Sequence, residues 1–85
     1  MAKRIILGAH LTDRTKDAPK FQELITHYGC NIKTRIGLHD ATDSYCSSKG
    51  LILLEMIGDE ARINDLEERL RAFQGIEIQK MVFEE

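Results

Sequence analysis

The feature that most constrains this chain is a doubled pattern. Within 85 residues, the same order occurs twice: an apolar run, a polar cap, a helical stripe closed by glycine, and a second apolar run. Residues 5–11 (Ile-Ile-Leu-Gly-Ala-His-Leu) have the length and β-branched content of a strand. The polar residues that follow end in Thr15 or Asp17, either of which is expected to cap a helix, with Pro19 in the first turn. Ala18, Phe21, Leu24, Ile25 and Tyr28 share one helical face, and Gly29 is expected to end the helix with a positive φ. Residues 32–39 then alternate, with Ile32, Thr34, Ile36 and Leu38 on one side and Lys33, Arg35, Gly37 and His39 on the other.

The second half repeats this order. Residues 50–57 form the most hydrophobic run, which is expected at the centre of a sheet. Asp59 is placed to cap a helix, with Glu60 near its positive end. Ile63, Leu66, Leu70 and Phe73 form the stripe, while Asp65 with Arg69 and Glu67 with Arg71 make i, i+4 pairs on the wet side. Gly75 closes this helix and residues 76–83 form the last strand. Between the halves, residues 40–49 are polar and aperiodic. They read as a hairpin loop longer than the usual two to five residues, a place where function often resides.

Two right-handed strand–helix–strand units joined by a hairpin give a four-stranded antiparallel sheet with both helices on one face. The expected spatial order is 4-1-3-2. The chain reads as one α+β domain, residues 1–85, of the ferredoxin-like βαββαβ class.

Two short helices cover one sheet face. The other face is polar in a monomer, yet here the strands predict an apolar one. Ile6, Gly8 and His10 fall opposite the helix-facing residues of the first strand, the third strand is apolar on both sides, and Met81 and Phe83 are expected to join them. Such a patch marks an interface, so a homo-oligomer, dimer or tetramer, is expected.

A net charge of −2 supplies no basic face for nucleic acid. No apolar run approaches the length of a membrane span, and no signal-peptide cleavage site follows the basic start, so a cytoplasmic protein is expected. Two cysteines, Cys30 and Cys46, make no disulfide framework. Phosphate loops, nucleotide fingerprints and nucleophile motifs do not occur, so enzymatic activity is not expected. The candidates for chemistry are His10, His39 and Cys46, whose imidazoles and thiolate suit nickel, copper(II) or zinc. They form a set only if a second subunit brings its own His10 near His39 and Cys46. Otherwise His10 and His39 are exposed or interface histidines. His27 reads as a solvated helix residue. Lys33, Arg35 and Lys49 could meet an anion or simply form a solvated edge.

Thr34-Arg35-Ile36-Gly37-Leu38-His39, with Asp13-Arg14 before the first helix and Gly75-Ile76-Glu77-Ile78-Gln79-Lys80 near the end, resembles the small proteins named as iron-only hydrogenase system regulators. The resemblance spans nearly the whole chain. It implies an ACT-like, ferredoxin-like fold similar to the C-terminal domain of the nickel-responsive repressor, and a small oligomeric regulatory or effector-binding role. In that domain a second-strand His, another His two residues on, and a Cys after a short loop bind nickel together with a neighbouring subunit's His. By that resemblance His39 and Cys46 stand at the second His and the Cys; Gly37 occupies the first His position, and the loop is one residue longer. The repressor's DNA-binding segment has no counterpart in these residues, so direct nucleic-acid binding is not expected. The implied effector is a small molecule or a metal such as nickel or zinc. The alternative is an interaction or assembly module that binds no small ligand. A small enzyme with His10 or His39 as base is a third reading.

Overall fold

The computed structural model describes residues 3–12, 15–42 and 45–85, with side chains described except over 39–42 and 45–49. The elements are β1 (Lys3–Leu11), α1 (Ala18–His27), a 3-10 turn (Gly29–Asn31), β2 (Ile32–Thr42), β3 (Tyr45–Met56), α2 (Glu60–Arg71) and β4 (Ile76–Glu84). All strand pairs are antiparallel, in the order β2-β3-β1-β4. This is the ferredoxin-like βαββαβ arrangement, with β3 and β1 at the centre. Among the described residues no helix is long and apolar enough to cross a membrane.

Alternation along the strands builds the core. Ile5, Leu7, Ala9 and Leu11 of β1, Ile52, Leu54 and Met56 of β3, and Ile76 and Ile78 of β4 are buried. They pack with Phe21, Ile25 and Tyr28 from the first helix and its end, and with Ile63, Leu66 and Leu70 of α2, so both helices lie on one face. Phe21 and Phe73 meet edge-to-face at 5.7 Å, a favoured aromatic geometry.

The helix ends differ from each other. Asp59 caps α2, accepting a hydrogen bond from the Ala61 amide at 2.9 Å. Asp17 stands at the N-terminus of α1 in the left-handed conformation (φ 59°), and its side chain makes no capping bond. Thr15 does not cap α1 either. Its hydroxyl accepts from the Thr12 amide and donates to the Gly75 carbonyl, which ties the end of β1 to the start of β4. Gly29 does not take the positive φ expected of it, because α1 winds on into the 3-10 turn. Asn31 in that turn is buried; its amide side chain donates to the Ile57 carbonyl and accepts from Arg62 Nε.

Two departures concern β2 and β3. The segment expected to be a loop at 40–49 carries strand at 40–42 and 45–49, with Ala41 opposite Cys46 and Thr42 opposite Tyr45. Backbone ladder bonds do not depend on side-chain period, so polar residues extend a ribbon that no hydrophobic alternation announces. β1 reaches only Leu11, opposite Gly50, so the β2–β3 ribbon continues beyond the four-stranded body. The radius of gyration, 13.3 Å, exceeds the roughly 12 Å of a compact chain of this length. The second departure is a register shift between Ile32 and Thr34. Ile32 stays against the core, while Ile36 and Leu38, in sequence alternation with it, face away from the helices and stand exposed.

Candidate functional site

Four of the exposed large apolar side chains, Ile36, Leu38, Met81 and Phe83, lie on the open sheet face. Cross-strand pairing puts Ile36 beside Leu53, Leu38 beside Leu51, Gly8 between Leu53 and Gln79, and His10 between Leu51 and Glu77. Ile6 pairs with Met81, and Arg4 with Phe83. The exposures of Ile36 (47%), Leu38 (54%), Met81 (47%) and Phe83 (52%) show that the described chain leaves this face uncovered.

Gly8 makes the face concave. Having no side chain, it leaves a dent between neighbouring strands; a Cβ there would stand 3.5 Å from Leu53 Cδ2 and 3.9 Å from the Gln79 carbonyl oxygen. Around the dent lies a groove of about 590 Å³, within the usual range for small-molecule sites. Ile6, Leu38, Leu51, Leu53 and Met81 supply its apolar lining. His10, Glu77 and Gln79 form its polar end, where Gln79 Nε2 donates to Glu77 Oε2 at 2.8 Å, and Lys80 also lines it.

Of the three sequence-selected ligands, His10 alone has a described side chain. His10 is exposed on β1 in this polar end, opposite Glu77. His39 lies opposite Gly50, in the row next to that of His10, and Cys46 opposite Ala41 beyond a further register shift. The His39 and Cys46 side chains lie outside the described residues, as do Asp13 and Arg14. Gly37 pairs with Ile52 and carries no side-chain donor. Among the described residues no group of three His, Cys, Asp or Glu is placed to hold a metal. His27 is exposed, packed edge-on to Tyr28, and Cys30 is a free, exposed thiol. Arg35 is held by Gln22 of α1. Glu77 and Gln79 were not selected from sequence, although their alternation with Ile76 and Ile78 puts both on one face.

A cluster of ionisable side chains joins the two helices on the other side of the sheet. The Tyr28 hydroxyl donates to Asp65, Arg69 Nε reaches the same carboxylate at 3.1 Å, and Arg62 lies 4.7 Å over the Tyr28 ring. The hydrogen bond from Tyr28, with those and the charges of Arg69 and Arg62, holds the Asp65 carboxyl below its usual range. The same bond raises the Tyr28 hydroxyl. The cluster fastens the end of α1 to α2 and faces away from the groove.

No family model matches this chain, and no curated protein does either. An uncharacterized protein of Thermotoga maritima, TM1266, has the same fold at a TM-score of 0.77 and 21% identity, over 98% of this chain and 100% of that one. Looser matches include a dimeric ferredoxin-like protein from an uncultured marine organism (TM-score 0.45, 10% identity, 95% of this chain and 92% of that one). Another is a formyltetrahydrofolate deformylase of Pseudomonas putida (0.49, 17%, 94% of this chain and 28% of that one). At 21% identity the likeness to TM1266 shows the fold alone.

Proposed function

We propose that this chain is an oligomeric regulatory domain that assembles through its open sheet face and binds an effector rather than transforming one. The uncovered apolar face carries the reading. Four strands about 4.8 Å apart and roughly 30 Å long present on the order of 570 Å² before side-chain relief is counted, approaching the ~800 Å² per partner of a stable interface. A second copy brings a matching apolar face. The resemblance to iron-only hydrogenase system regulators supplies the setting, regulation of that system from the cytoplasm. It also supplies one effector class, nickel or zinc held by His39 and Cys46 with His10 of a neighbouring copy, a donor set of the type thiolate and imidazole metals accept.

Native mass spectra of the reduced protein, alone and with nickel or zinc added, test this. The expected result is a dimer or tetramer, with metal taken up in fixed number and lost in His39→Ala or Cys46→Ala. A monomer at every concentration overturns the assembly. An oligomer that ignores metal removes the metal effector and leaves the interface.

A further inference from the structure

The groove floored by Gly8 has an apolar body and, at its polar end, one carboxylate, that of Glu77. Glu77 is anionic, and its described hydrogen bond comes from the neutral Gln79 amide. Lys80 also lines the groove, but its ammonium is held by Glu67 at 2.8 Å. Among the described residues no ion pair reaches Glu77. A copy packed on this face takes water from that carboxylate, and a buried charge without a counter-charge is costly. The groove lining therefore asks for a positive group at one end and an apolar body along the rest.

We propose that the Gly8 groove binds a small organic amine, its ammonium on the Glu77 carboxylate beside Gln79 and His10, its aliphatic or aromatic body lying over Gly8 against Ile6, Leu51 and Leu53. The proposal rests on the assembly reading, in that a second copy on the open face roofs the groove. Gly8 is the residue that admits the ligand, since any side chain there occupies the dent. Glu77 sets the sign of the head group.

The probes are 2-phenylethylamine and 3-phenylpropionate, alike in body and opposite in charge, titrated into ¹⁵N-labelled protein whose oligomeric state is checked in the same samples. The amine is expected to shift the amides of Gly8, Leu53 and Gln79 and to bind about fivefold more tightly than the acid. Glu77→Gln is expected to erase that preference while the shifts stay in the groove. Gly8→Val is expected to abolish binding of both probes; if that variant does not fold, Glu77→Gln alone decides. Equal binding of amine and acid by the native protein, or amine shifts confined to another surface, overturns the proposal. An intact oligomer without groove shifts overturns it and leaves the assembly standing. A monomer whose groove still selects the amine removes the roof and the assembly reading, and leaves the groove site.

Discussion

At the scale of single residues, the group that fastens the helices lies apart from the groove. Tyr28, Asp65, Arg69 and Arg62 form a fastening group between α1 and α2, and Asp65 is its electrostatic centre. A carboxyl held below its unfolded value of about 3.9 stabilises the fold above that pH and loses the contribution as pH falls through the lower folded value. Asp65→Asn is therefore expected to lower Tm at pH 7, and the gap from the native protein is expected to narrow as pH falls from about 5 to below 3. Tyr28 works at the other end. Its raised hydroxyl contributes below about pH 10 and stops contributing as pH rises through the higher folded value. Circular-dichroism melts at pH 3, 7 and 10.5 check both limbs; an Asp65→Asn gap that stays constant across the acid range contradicts the assignment. Asp65 and Arg69 were legible as an i, i+4 pair, because that spacing is local. Tyr28 as the third member was not, since the contact crosses 37 positions and no local period encodes it.

At the scale of elements, β3 shows how one strand serves two purposes. Leu54 is fully buried against the helices, and its neighbour Leu53 lines the groove beside Gly8. Leu54→Ala leaves a cavity in a closed core and is expected to cost about 2–5 kcal/mol. Leu53→Ala, on a face open to water in a dilute monomer, is expected to cost under about 1.5 kcal/mol. Urea unfolding at low micromolar concentration compares the two, and equal losses would mean that the open face is already closed within one chain. The two-sided apolar character of β3, the order of strands and the α2 cap were all readable, because alternation and capping act over a few residues. The facing of β2 was not. The register shift after Ile32 is a backbone event that separates Ile32 from Ile36 and Leu38 although their spacing puts all three on one side. The strand content of 40–49 was hidden for a related reason: a polar ribbon has ladder bonds but no hydrophobic period. Thr15, readable as a cap, is instead drawn to the Gly75 carbonyl, a partner that only tertiary structure supplies.

At the scale of the whole molecule, the fold is stabilised on one face of the sheet and the proposed assembly uses the other, so the two can be separated by substitution. If copies associate in the folded state only, assembly adds to apparent stability by mass action, and Tm depends on protein concentration. For a domain of this size, raising the concentration a hundredfold is expected to raise Tm by about 5 °C. Leu38 is more than half exposed, sits in the row of Leu51 and His10, and touches nothing in the helix-side core. Leu38→Glu places a charge where a partner's apolar face must lie, so the variant is expected to keep the Tm of the dilute native protein and to lose the concentration dependence. Light scattering on the same samples is expected to show native oligomer and variant monomer. A native Tm that does not move with concentration, together with a monomeric mass, would mean that the apolar face serves a different partner. A Leu38→Glu variant whose Tm falls at low concentration would mean that Leu38 supports the fold of one chain, and that the division between the two faces of the sheet is not the one drawn from burial and register.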